Sequence, residues 1–60
     1  MSAVYNPEAD TIAEIEQLEL EARRIRRTIE HAANQEDRRV LNRQLQELKD
    51  RIYFLRQRLP

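Results

Sequence analysis

Glycine and cysteine are absent from this 60-residue sequence, proline occurs twice, histidine once, and only three residues are aromatic. Without cysteine there is no disulfide framework and no thiol nucleophile, and a single histidine leaves a structural zinc site short of its usual ligands. Without glycine there is no Gly-rich loop to cradle a phosphate. No window approaches the roughly 18 consecutive apolar residues of a membrane span. Met1 to Asn6 hold neither a basic residue nor an apolar run, so neither an anchor nor a secretory leader is expected and the expected location is cytoplasmic. An excess of one charge is missing too. Eleven basic residues balance eleven acidic ones, which argues against wholesale attraction to nucleic acid or anionic membrane.

What remains is rich in Glu, Arg, Gln, Leu, Ile and Ala, residues with a low helical cost, and predicts an all-α chain. Asn6-Pro7-Glu8 reads as a helix start, because Asn caps orphan amides, Pro loses nothing at the first helical position, and acidic residues suit the positive end of the dipole. Asn34, followed by Glu36 and Asp37, reads as a second start. The expected organisation is a short flexible arm over 1–6 and one helical-hairpin domain over 7–60, with helices at about 7–32 and 35–58. With no glycine to end the first helix, the turn is the least specified part.

Two apolar stripes run along these helices. Ile15, Leu18, Ala22, Ile25, Ile29 and Ala32 are spaced 3-4-3-4-3, and Leu41, Leu45, Leu48, Ile52, Leu55 and Leu59 are spaced 4-3-4-3-4. Each is a heptad seam. Ile29 and Leu45 occupy equivalent seam positions yet lie 16 residues apart, two heptads plus two, so a straight helix would swing the second stripe well away from the first. Folding the chain back near Gln35 resolves this. Ile15 with Leu55, Leu18 with Ile52, Ala22 with Leu48, Ile25 with Leu45, and Ile29 with Leu41 all share a residue sum of 70. A constant sum is what antiparallel helices with equal rise require. The expected core of the hairpin and its dimer is these ten residues.

Flanking charges give a second test. Glu14 is expected opposite Arg58 and Glu21 opposite Arg51 on one flank, with Glu19 opposite Lys49 and Arg26 opposite Asn42 on the other. Glu19 to Arg23 and Glu47 to Arg51 also have the i,i+4 spacing of pairs along one helix. Such exposed pairs choose orientation and register more than they stabilise. Because 1–21 is acidic and 38–60 basic, the open end is expected to be neutralised, leaving arginine in excess at the bend. Two helices cannot surround their own seam, and one core is marginal at this length. The expected assembly is a C2 dimer of hairpins, a four-helix bundle; helices exchanged between chains would satisfy the same sums.

Catalysis finds little support. The one serine, Ser2, lies in the arm, His31 reads as an exposed helix-end residue, and no Glu-x-x-His metal motif is present. No catalytic residue, cofactor, metal or small-molecule substrate is expected. Two features could carry function. Leu20, Tyr53 and Phe54 fall outside the seams and are the candidate anchors for a protein partner; a wider bundle core is the other use for the Tyr53-Phe54 pair. Arginine outnumbers lysine ten to one, and Arg23, Arg24, Arg27, Arg38 and Arg39 near the bend are the candidate grip on a nucleic-acid backbone. The expected function is therefore that of a small non-enzymatic interaction protein, a regulator, adaptor or assembly factor. The second reading is a nucleic-acid-binding regulator that uses its Arg-rich bend.

Overall fold

The computed structural model describes residues 6–60; of the arm assigned to 1–6, all but Asn6 lies outside the described residues. Two helices pack against each other, α1 over Pro7–His31 and α2 over Gln35–Gln57, and no strand occurs among the described residues. Asn6 is the extended residue that caps α1. Its side-chain oxygen accepts from the amides of Glu8 at 3.0 Å and Ala9 at 3.2 Å, with Pro7 at the first helical position. Asn34 starts α2 in the same way, accepting from the Glu36 amide at 2.8 Å. Each such cap is worth about 1 kcal/mol.

The bend shows how a chain without glycine ends a helix. A left-handed residue usually turns the chain and satisfies the last carbonyls, but here no described residue has positive φ. Instead Ala32 leaves α1 in extended backbone, φ −75° and ψ 121°, and Asn34 is extended as well, φ −96° and ψ 130°. The carbonyl of Ala32 is met by a side chain: Arg38 Nε donates to it at 2.9 Å from the first turn of α2. Ala32 is thus the cap of α1 and not its last residue, and α2 stops at Gln57, one residue before the expected end.

Twelve seam residues account for every apolar side chain that is buried or half-buried among the described residues. Burial is uneven along their length. Ile15, Ala22, Ile52 and Leu55 are buried, all on the open-end side of the hairpin or at its middle, with Leu18 and Leu59 packed against the Ile15, Ile52 and Leu55 cluster. Towards the bend, Ile25, Ile29, Leu41 and Leu45 are only half-buried. The molecule is 12 Å across in its thinnest direction and 22 Å in the next, a slab one helix thick. Every seam residue therefore lies one side chain from water on two broad faces.

Candidate functional site

The two faces are distinguished by which flank of each helix they expose. On one, heptad spacing lines up Glu14, Glu21 and Thr28 of α1 beside Asp37, Gln44 and Arg51 of α2. On the other lie Glu19 and Arg26 beside Lys49 and Arg56. We call these the first and second faces.

Ion pairing follows the expected flanks but not the expected partners. Arg51 Nη2 meets Glu14 Oε2 at 3.3 Å on the first face, and Arg56 meets Glu19 on the second. No other ion pair forms among the described residues, so Glu14 with Arg58, Glu21 with Arg51, Glu19 with Lys49, and the i,i+4 pairs are not made. Side-chain direction explains the second face. Side chains lean towards the N-terminus of their own helix, so Arg56 leans to the bend and Glu19 to the open end, and they converge; Lys49 leans away. An aromatic ring explains the first face. The Arg51 guanidinium carbon sits 5.9 Å from the centroid of Phe54, one turn nearer the open end, which turns the guanidinium away from Glu21 and towards Glu14. Arg58, beyond the last helical turn, lies over the same ring at 5.9 Å. Such contacts contribute about 0.5–1 kcal/mol at exposed sites.

The apolar candidates do not form one patch. Phe54 lies on the first face between its two arginines, whereas Tyr53 lines a groove of about 540 Å3 on the second face with Ala22, Arg23, Arg26 and Ile52. Leu20 stands on the outer side of α1, exposed and part of neither groove. Adjacent residues on a helix point about 100° apart, which is why the Tyr53-Phe54 pair is divided between opposite faces. Ile12, on the second face, and Val40, on the first, are exposed apolar residues outside that candidate set. Val40 lines a groove of about 760 Å3 at the bend end of the first face, with Leu41, Ala32, Arg24, Arg27 and His31. Its seam-adjacent position and the shortage of cover near the bend were the available signals.

The arginine candidates are divided too. Arg24 and Arg27 border the first-face groove and Arg23 the second-face groove, while Arg38 is engaged with the Ala32 carbonyl. Charge is separated along the long axis. Divided at the Ala22 and Leu48 layer, the bend half has seven basic and four acidic residues, and the open half four basic and seven acidic. The open end is therefore not neutral; it carries −3 against +3 at the bend. Among the described residues, no group of three His, Asp or Glu side chains lies close enough to hold a metal ion, and no helix is long and apolar enough to cross a membrane. Comparison with protein-family models, curated proteins and solved structures finds no match for this chain.

Proposed function

We propose that this protein is a small, non-enzymatic helical interaction protein whose hairpin associates with a second copy as a C2 four-helix bundle and offers its remaining surface to a protein partner, as a regulator, adaptor or assembly factor. The observation that carries this is the unfinished core: two helices side by side leave the bend half of the seam half-buried. Exposed apolar surface of that kind is stabilised by a partner face. Both grooves are shallow features of a slab one helix thick, which supports protein contact over the enclosed, water-excluding pocket that catalysis uses. Sedimentation equilibrium across a hundredfold concentration range, paired with helicity by circular dichroism, tests the proposal. Dimers at micromolar chain and helicity that falls on dilution are expected; a fully helical monomer at every concentration refutes it.

A second reading rests on the charge separation. With +3 on the bend half, Arg23, Arg24, Arg27 and Arg39 could contact phosphates of a nucleic acid. Their division between two faces and the engagement of Arg38 favour the first reading. Binding of duplex RNA in a gel shift that weakens steeply with salt and is lost in Arg23→Glu/Arg27→Glu would establish the second.

A further inference from the structure

We propose that the second copy docks on the first face with its bend over the opposite open end, about a two-fold axis level with the Ala22 and Leu48 layer; this rests on the self-association proposed above.

Charge selects the orientation. Stacking bend on bend would bring +3 against +3, whereas the antiparallel arrangement lays each bend half on an open half of −3. In that arrangement α1 lies along α1 of the second copy and α2 along its counterpart, so residues on one face meet at a constant sum. Residue pairing on each helix then locates the axis separately. On α1, Glu21 meets Arg24 of the second copy and Gln17 meets Thr28, both at a sum of 45. On α2, Asp37 meets Arg58 at 95 and Val40 meets Phe54 at 94. Half of 45 and half of 95 are levels that the hairpin's own pairing, with its sum of 70, places opposite each other. Two helices thus specify one axis.

The pairs make chemical sense. Glu21, Arg24 and Asp37 have no ion-pair partner within the described residues, and each acquires one of opposite sign. Val40 and Phe54 are both about half exposed, at 56% and 52%, and the groove that Val40 lines receives the Phe54 ring. Every contact occurs twice by symmetry, except that Glu47 meets its own symmetry mate. The face is also large enough. About 37 Å of helix by the 22 Å width gives on the order of 800 Å2 per copy, one side of a standard interface. On the first face the one like-charged contact, Glu47 on its mate, stands against four opposite-charged ones. The same rotation applied to the second face sets Arg39 against Arg56 and Glu19 against Arg26 of the other copy, two of each, so the balance of charge selects the first face.

Complementary charge reversal tests this. Glu21→Arg alone sets arginine on arginine twice per dimer, and Arg24→Glu alone sets glutamate on glutamate twice. Mixed one to one, the two variants regain opposite charges at both contacts. In sedimentation equilibrium with helicity monitored, each variant is expected to weaken dimerisation about tenfold or more, and the mixture to return to within about threefold of the native constant. Native-like dimers from either variant, or a mixture no tighter than its components, would overturn the docking face while leaving self-association standing. A native chain that stays monomeric overturns both proposals. As a check independent of charge, Glu47→Cys is expected to form a disulfide-linked dimer on mild oxidation, since the chain has no other cysteine, while Asp50→Cys, on the outer side of α2, does not. Equal cross-linking of the two also counts against this face.

Discussion

Leu55 is the most informative residue to remove. It is 2% exposed and sits in the cluster with Ile15 and Ile52, so Leu55→Ala loses both the transfer free energy of the missing carbons and the packing around them. Buried Leu→Ala changes cost about 2–5 kcal/mol, depending on how far the hole can close. In a slab 12 Å thick the hole lies one side chain from solvent and relaxes easily. The lower part of the range applies, about 2–3 kcal/mol. At about 4–8 °C per kcal/mol for a domain of this size, the midpoint should fall by roughly 8–24 °C. Leu20→Ala is the matched control, since Leu20 is 47% exposed on the outer side of α1 and should change stability by less than about 0.5 kcal/mol. Thermal and urea unfolding followed by circular dichroism, at one fixed chain concentration because association adds to stability, gives both values. If the two variants differ by less than about 0.5 kcal/mol, the assignment of Leu55 to the core is wrong.

Other substitutions probe the caps, the bend and the flanks. Asn34→Ala should lower stability by about 1 kcal/mol and Asn34→Gly by only a few tenths; equal losses would mean that the side-chain cap of α2 contributes nothing. Arg38→Met keeps the apolar stem but removes the donor to the Ala32 carbonyl, so amide exchange over 30–37 should quicken while global unfolding shifts by less than about 1 kcal/mol. A double-mutant cycle on Glu14→Gln and Arg51→Gln should give a coupling of about 0.2–1 kcal/mol that shrinks in molar salt; the same cycle on Glu21 and Arg51 should give none. Ala22→Leu inserts carbon at a buried seam position and should cost about 1–3 kcal/mol, with an unchanged melting curve excluding close packing there.

What could be read from the sequence was whatever a period imposes. Ile15, Leu18 and their partners repeat at 3 and 4, and the structure confines apolar burial to the two stripes they define. Asn6 and Asn34 announced helix starts because their capping chemistry is local, reaching two or three residues. Contacts that depend on where a long side chain lies were not legible in this way. Arg51 has Glu21 nearer its own level, yet the Phe54 ring draws it to Glu14, and no pairing sum contains that. The bend was hidden for another reason. Arg38 replaces the glycine-based ending by reaching six residues back, a use of arginine that composition and spacing make look like surface charge. Tyr53 and Phe54, adjacent in sequence, were readable as one patch only while the angular step between neighbours was ignored.

The two-residue slip between the stripes has a consequence for topology. No described backbone position between the helices needs left-handed angles, so sterics alone would let residues 32–34 continue as helix, giving one shaft of about 75 Å. What opposes the shaft is that its front and rear stripes would point to different sides, and no single neighbouring helix could cover both. Shorten the connection by two residues and the heptads run through in phase, as in a long coiled coil. Doubling back is thus written in the count of residues between Ile29 and Leu45, and the connector itself needs no special chemistry to impose it.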